Sequence, residues 1–373
     1  MNARQQRLVR FVRELHRRDR RGPEAFLIAE RPGDGIDAAC REPQRMLALK
    51  RAEAANRGER ASGAAIRLLD RPNAAKRAPA PSLTPRGAAA FDRVLNNRPL
   101  SDTDLMHLEC IVLPALRPVF DIQNETFETL PGDWAAFNAV RAQIEPIIRG
   151  IGRLQLTGHP SYTLVGTGFA CGTRAILTNR HVAQIFVQAA QNGQALAFLP
   201  GVGCNLEMLA EVGSAASLLL DVTQPLVVSD RWDLALLRVE SLPAGVAPVP
   251  LAGVPPAAID GGVATIVGYP SFDPYESFVD QATIFRSVFD RKRLQPGRLN
   301  GRADTPSFGR TVSALAHDCS TLGGNSGSAL IAADTKQVVG IHFAGVTHQS
   351  NYAIPTWELA ADPALAGQAL NFV

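Results

Sequence analysis

The sequence reads Gly323-Gly324-Asn325-Ser326-Gly327-Ser328-Ala329-Leu330 near its C-terminal end, a glycine-rich turn that leads into an apolar run. A serine hydroxyl is a weak nucleophile and needs an adjacent base to react. The oxyanion that develops during such a reaction needs preorganised N–H donors, each worth roughly 2.7–4 kcal/mol. Glycine at position 324 lets the backbone aim its N–H at the same point as the N–H of Ser326. The turn therefore predicts Ser326 as a nucleophile and these two N–H groups as an oxyanion hole.

Two segments upstream supply a base and a carboxylate. The first, GTGFACGTRAILTNRHVA, spans residues 166–183 and places His181 where an apolar strand ends. The second, RWDLALLRVE, spans residues 231–240 and places Asp233 at the entrance of an alternating strand. Taken alone, such a histidine packs or is solvated, and such an aspartate caps a turn. Together with Ser326 they form the set that a catalytic triad requires, in which the carboxylate orients the imidazole and stabilises its charged form.

Short apolar runs separated by Gly, Pro, Asn and Asp fill the chain from residue 153 onward. Many short strands with turn signals are typical of an all-β sandwich or barrel. The length of this region predicts a mainly β domain over residues 153–360. Within it we expect two small barrels, over about 153–245 and 246–352, and a final helix over about 356–366.

The first 150 residues have a different pattern. Apolar residues at helical spacing predict a basic amphipathic helix over residues 5–20 and a second helix that begins after Ser101. A further helix is expected to start near Asp133. We divide this part into a basic helical region (1–70), a linker rich in Pro and Ala (71–87) and a helical segment (88–152). It contains no recognisable catalytic motif.

Charge is distributed unequally, with a net charge of +11 over residues 1–100 and −8 over the remainder. The simple interpretation is a solvated basic helix that packs on an acidic domain, and the alternative is a partner protein for the basic region. Contact with an anionic membrane surface needs a larger apolar face than residues 5–20 offer. Nucleic acid is disfavoured, because neither aromatic interleaving nor a known binding motif accompanies the charge.

The cellular compartment is predicted from the N-terminal sequence and from the cysteines. No apolar stretch approaches the ~20 residues of a transmembrane segment, and the N-terminus has no apolar signal core. The number of cysteines is odd, and they are scattered without a CxxC pair, which favours free thiols over a disulfide frame or a zinc site. We therefore expect a cytoplasmic protein. The five cysteines are Cys40, Cys110, Cys171, Cys204 and Cys319.

The order His, Asp, Ser within TNRHV, DLALL and GNSGS resembles the chymotrypsin-like (trypsin-like) serine peptidase family over about residues 153–360. The segments STLGGNSGSAL, VVGIHFAGV and VGYP are most similar to its bacterial glutamyl endopeptidase branch. The resemblance implies two antiparallel six-stranded β-barrels with the triad at their junction. It also implies that Thr321 and His342 line the pocket for the residue before the scissile bond and help to hold a carboxylate. Ser320 stands where trypsin-like enzymes carry an acidic residue, which disfavours Arg/Lys specificity.

The chain departs from the family at several positions. Val182 replaces a cysteine of the secreted animal relatives, so Cys171 lacks that disulfide partner. Asn325 replaces the aspartate that pairs with a newly cut N-terminus in many relatives, so the intact chain can be active without that salt bridge. About 150 residues precede the domain, whereas the glutamyl enzymes use their mature N-terminal ammonium in the pocket. Ala344 stands where a glycine is expected beside the substrate.

The sequence thus predicts a serine endopeptidase that acts on a protein or peptide substrate, with a possible preference for an acidic residue before the scissile bond. No metal or organic cofactor is implied. The alternative is a regulatory or binding module with a conditionally inactive peptidase fold, controlled by the helical N-terminal region through collapse of the oxyanion loop. A third hypothesis makes that region an adaptor that delivers the peptidase to one target.

Overall fold

A computed structural model of the protein describes residues 117–188, 196–272, 278–346 and 350–373, together with 92–94, 96, 98 and 99. The helices expected over 5–20 and after Ser101, and the linker 71–87, lie outside the described residues. The chain divides into two compact units, Met1–Pro118 with Pro274–Ser287, and Val119–Asp273 with Val288–Val373. Of the described elements, the first unit holds helix α4 (Phe278–Phe285), and the second holds every strand.

A closed barrel of six antiparallel strands forms the first half of the second unit, as predicted. Its strands follow one another around the barrel in the order β10-β5-β4-β3-β8-β9. A separate short hairpin, β6 (Val187–Gln188) and β7 (Ala197–Phe198), lies outside this ring. The barrel strands are β3 (Ile151–Thr157), β4 (Leu164–Gly172), β5 (Ala175–Thr178), β8 (Gly203–Glu207), β9 (Leu219–Val228) and β10 (Ala235–Val239).

Both faces of the central barrel strands are buried, which explains their nearly continuous apolar sequences. In β5, Ile176 belongs to one hydrophobic cluster and Leu177 to another. In β10, Leu237 belongs to the same cluster as Ile176, and Leu236 belongs to the same cluster as Leu177. Side chains alternate between the faces of a strand. One face therefore fills the barrel interior, and the other packs in a cluster that also contains strands of the second half.

The second half is an eight-stranded antiparallel sheet in the order β11-β14-β15-β16-β13-β12-β1-β2. An additional pairing joins β11 to β12, which stand first and sixth in that order. The prediction of two six-stranded barrels is therefore confirmed for the first half, whereas the second half is an eight-stranded sheet and not a second closed six-stranded barrel. The strands are β1 (Phe120–Gln123), β2 (Thr126–Phe127), β11 (Asp260–Gly268), β12 (Arg293–Ser307), β13 (Arg310–His317), β14 (Ala329–Ala332), β15 (Gln337–Val346) and β16 (Ser350–Pro355).

The two extra strands come from the segment that was predicted to be helical. Phe120 and Ile122 are buried while the residues between and after them are more exposed, an alternation that suits a strand. β1 pairs with the start of β12, where the buried Arg293 guanidinium contacts Asp121 at 2.9 Å and donates to the carbonyl of Phe120. These long-range contacts stabilise an element that is too short to be recognised from its sequence.

Helices flank the strands where the sequence indicated them, with shorter extents. The helix expected near Asp133 is a 3-10 turn (Gly132–Trp134) followed by α1 (Ala136–Ala139) and α2 (Arg141–Arg149). A short helix, α3 (Arg180–Ala183), follows β5. The expected C-terminal helix is interrupted, and consists of α5 (Thr356–Leu359) and a 3-10 turn at Pro363–Leu365. No helix in the described part of the chain is long and apolar enough to span a membrane.

A buried lysine ties α2 to both halves of the domain. Lys292, directly before β12, donates to the carbonyls of Ile148 at 3.0 Å and Met208 at 2.7 Å. Its ammonium lies 3.8 Å from the carboxylate of Glu211. Burial lowers the pKa of Lys292 to about 8. The carbonyls and the carboxylate together compensate a cation that has left water, and they hold the segment 119–150 on the domain.

Candidate active site

His181 and Asp233 form the best-defined polar contact of the predicted triad. His181 Nδ1 lies 2.6 Å from Asp233 Oδ2, and the His181 backbone N–H donates to Asp233 Oδ1 at 2.9 Å. The Asp233 side chain is 5% exposed, whereas that of His181 is 38% exposed. A shielded carboxylate that accepts from Nδ1–H fixes the tautomer in which Nε2 carries a free lone pair. A partly exposed imidazole in this tautomer is suited to act as a base.

Local sequence explains this placement. Asn179 separates β5 from helix α3, and its buried amide donates to the backbone carbonyl of Asp233 at 2.9 Å. Arg180 donates to the carbonyl of Ser229 at 3.1 Å, and its guanidinium lies 4.2 Å from the ring centroid of Phe308. The two residues that precede His181 are therefore anchored, and this holds the imidazole against its carboxylate.

The nucleophile turn follows β13 and enters β14. Asn325 N donates to the carbonyl of Leu322 at 3.2 Å and also contacts the carbonyl of Gly323. Gly324 has φ +20° and Gly327 has φ +87°, and a Cβ at either position would lie within 2.2 Å of a backbone oxygen. Only glycine fits both conformations and both close approaches. This requirement explains the glycine pattern of the segment.

Ser326 lies next to the element that carries His181. Its carbonyl accepts from the N–H of Thr167 in β4 at 2.8 Å. The carbonyl of Ser326 and a methyl of Val182 both lie within 3.0 Å of the position that a Cβ of Gly166 would take. The structure thus brings the backbone of Ser326 to the same strand that contacts the residue after His181, at the junction of the two halves.

The N–H groups of Gly324 and Ser326 are the predicted oxyanion donors. The N–H groups of Gly324 and Ser326 donate to no backbone carbonyl among the residues that the structure describes. The carbonyl of Gly324 points elsewhere, because it accepts from Thr167 Oγ1 at 2.7 Å. Two N–H donors on one turn are suited to bind a developing negative charge.

Thr321, one of the two residues predicted to line the specificity pocket, contacts Asn351. Thr321 Oγ1 donates to Asn351 Oδ1 at 2.9 Å, and Asn351 Nδ2 donates to the carbonyl of Cys319 at 2.7 Å. A Cβ at Gly345 would meet Asn351 Oδ1 at 2.1 Å, so β15 closely approaches this pair. The hydroxyl proton of Thr321 is therefore donated to Asn351, a contact that no motif in the sequence indicates.

His342 is buried in β15 and faces a second histidine. His342 Nδ1 lies 3.3 Å from Nε2 of His317, which is also buried. Burial, and to a lesser extent the charge of His181, lower the pKa of His342 to about 3, although a hydrogen bond with the backbone of Tyr352 acts in the opposite direction. The imidazole is consequently neutral at neutral pH and offers a hydrogen bond rather than a positive charge.

This burial makes stability depend on pH. In the unfolded chain the pKa of His342 returns to 6.5, so between about pH 6.5 and pH 3 only the unfolded state binds the proton. We therefore expect the contribution of this group to the free energy of unfolding to decrease as the pH is lowered from about 6.5 to 3. The slope approaches about 1.4 kcal/mol per pH unit. Urea unfolding of the wild type and of His342→Gln from pH 7 to pH 4 measures it. Equal slopes for the two proteins would contradict the assignment.

Three buried polar residues of the site were missed in the sequence. Thr167, Gln295 and His317 contact the nucleophile turn or the predicted pocket, yet each belongs to a strand remote in sequence from its partner. Thr167 is a polar residue in an otherwise apolar strand, which is a signal in the sequence. The strands that contain Gln295 and His317 carry several other polar residues, so these two residues do not stand out. Within the described ranges, no group of three or more His, Cys, Asp or Glu side chains is arranged to hold a metal ion.

Comparison with known proteins finds similarity to serine proteases in the C-terminal part of the chain. Residues 166–341 match the model of the trypsin-like peptidase domain. A probable serine protease of Lysobacter enzymogenes is 31% identical over 263 residues, which cover 63% of this chain and 66% of that protein. The chain thus spans slightly less than two thirds of the length of this relative.

Solved structures with lower identity are also similar. The protease Rv3671c of M. tuberculosis in its active form is 20% identical with a TM-score of 0.44, and the match covers 68% of this chain and 95% of that chain. The HtrA-type protease AlgW with a decapeptide is 16% identical with a TM-score of 0.40, over 58% and 64% of the two chains. The matched residues 166–341 contain His181, Asp233 and Ser326.

Proposed function

We propose that the protein is a serine endopeptidase in which Ser326 is the nucleophile, His181 the general base and Asp233 the residue that orients the histidine. The observation that carries the proposal is the 2.6 Å contact between His181 Nδ1 and the buried carboxylate of Asp233. It lies beside a glycine turn whose serine is contacted by the neighbouring strand. A packed histidine without catalytic function would not need both a shielded carboxylate and a partly exposed ring.

The proposed reaction follows from this geometry. Ser326 Oγ attacks the peptide carbonyl carbon while its proton moves to His181 Nε2. The negative charge on the carbonyl oxygen is bound by the N–H groups of Gly324 and Ser326. The C–N bond then breaks as His181 returns the proton to the leaving amine. Water, deprotonated by His181, hydrolyses the acyl-enzyme and regenerates the Ser326 hydroxyl. Every step uses side chains of this chain and needs no metal or organic cofactor.

A preference for an acidic residue before the scissile bond is the finer part of the proposal. Thr321 and His342 supply hydrogen-bonding groups, and Ser320 provides no negative charge that would attract Lys or Arg. Because His342 is neutral, the pocket binds a carboxylate through hydrogen bonds alone, and the Thr321 hydroxyl must turn away from Asn351 to take part. A hydrogen bond to a charged group contributes about 1.5–3 kcal/mol.

Fluorogenic peptides that differ only in the residue before the scissile bond test this proposal. We expect the peptide with Glu to be cleaved at least about tenfold more efficiently than those with Gln or Lys, measured as kcat/KM. Thr321→Val should reduce the advantage of Glu over Gln without reducing turnover of the Gln peptide. Cleavage at Lys with the highest kcat/KM would contradict the acidic preference. Failure to cleave any peptide internally would contradict the endopeptidase assignment.

A cytoplasmic location remains part of the proposal. Among the described residues, Cys171 and Cys204 have free, buried thiols, and Cys319 is buried as well. Burial raises the pKa of Cys204 to about 12, and that of Cys171 is raised as well, so these thiols are poor nucleophiles. They are consistent with a reducing compartment and with packing functions only.

A further inference from the structure

The nucleophile turn is attached to the second half of the domain by a pair of side-chain amides. Gln295 Nε2 donates to Asn325 Oδ1 at 3.0 Å, and Asn325 Nδ2 donates to Gln295 Oε1 at 3.1 Å. Both residues are completely buried. The two hydrogen bonds are reciprocal, so each amide satisfies the other, and neither side chain can rotate without leaving a buried donor and acceptor unpaired.

This pair acts on the residue between the two oxyanion donors. Asn325 separates Gly324 from Ser326, so the orientation of its side chain constrains both neighbouring peptides. Gln295 lies in β12, whose backbone pairs with Ile266 of β11, and it is therefore held in a rigid sheet. The turn is held at two further points, by Thr167 Oγ1 on the Gly324 carbonyl and by the His342 carbonyl, which accepts from Gly327 N at 2.9 Å.

We infer that Gln295 is a positioning residue, which keeps the oxyanion turn in its donating conformation through Asn325. The inference rests on the proposed function and adds to it a device that needs no charge. An uncharged amide pair inside the domain forms on folding and requires neither a cut in the chain nor a free ammonium group. The competence of the turn is consequently a property of the folded domain rather than of processing.

The test is Gln295→Leu, which keeps the approximate volume and removes both hydrogen bonds. Loss of one oxyanion donor costs 100-fold or more in kcat, so we expect kcat for an activated ester to fall about 100-fold. KM should change less than about threefold, because the donors act on the transition state. Thr265→Val is the matched control, since it removes a buried hydroxyl from the neighbouring strand without contacting Asn325.

Stability measurements separate positioning from a structural defect. Urea unfolding should show that Gln295→Leu and Thr265→Val are both folded at the assay temperature. Only Gln295→Leu should have a reduced kcat. If Gln295→Leu does not fold, kcat is measured for Gln295→Glu instead. This variant keeps the side-chain volume and the hydrogen bond from Asn325 Nδ2, but it places an oxygen next to Asn325 Oδ1. Unchanged kcat in the folded variant, or an equal loss in Thr265→Val, would overturn the inference. A wild type without turnover would instead overturn the proposed function.

Discussion

Substitution of Ser326 by alanine is expected to reduce hydrolysis of an activated ester or peptide by about a millionfold, to the limit of detection. The variant lacks the oxygen that forms the acyl-enzyme, and no other group at the turn can replace it. Because alanine is smaller and the Ser326 carbonyl still accepts from Thr167, the fold should remain intact. Burst kinetics with a chromogenic ester, which count acylated sites, should drop to zero.

The appropriate control for that experiment is another serine of the same domain. Ser313→Ala removes an exposed hydroxyl from β13 and should retain full turnover. Circular dichroism and urea midpoints should agree for all three proteins. Substantial turnover by folded Ser326→Ala would remove Ser326 from the nucleophile position, and with it the proposed mechanism.

Asp233→Asn is expected to lower kcat by about ten-thousandfold while the fold is preserved. The asparagine amide fits in the same space but places an N–H where Asp233 Oδ2 accepts from His181 Nδ1. The imidazole then favours the opposite tautomer, with its proton on Nε2, which cannot remove a proton from Ser326. Since Asp233 is buried and His181 Nδ1 lies 2.6 Å away, water cannot substitute for the lost acceptor.

The matched control is Asp230→Asn, an exposed carboxylate three residues earlier in the same loop. It changes the net charge by the same amount and should leave kcat within about twofold of the wild type. Steady-state kinetics at several pH values measure both variants. If Asp230→Asn lowered kcat as much as Asp233→Asn, the negative charge of the loop, and not the hydrogen bond to His181, would account for the effect.

Each member of the proposed triad is indicated by its own neighbours in sequence. His181 follows an apolar strand, Asp233 precedes one, and the glycines around Ser326 are required by backbone conformation. The first barrel could be predicted for a similar reason, since its strands are separated by recognisable turns. These local patterns reflect the conformation of the same few residues, so they are readable without knowledge of the tertiary fold.

The features that could not be predicted depend on pairing over long distances. Gln295 is one polar residue in a strand, and its function arises only when Asn325 is placed against it by the sheet. Strand β1 has four residues, fewer than a periodicity needs to be distinguished from a helix. The histidine pair has the same origin, because β13 and β15 are brought together through β16, which pairs with both.

Intact-mass analysis of the full-length protein after incubation with a fluorophosphonate tests the central claim most directly. A fluorophosphonate reacts with a serine only when the base and the oxyanion donors are both in place, so it reports the competence of the whole site. We predict one adduct per chain in the wild type, mapped to Ser326 by peptide sequencing, and none in Ser326→Ala. Absence of an adduct in folded wild type, or an adduct on a different residue, would contradict the assignment of Ser326, His181 and Asp233 as a working triad.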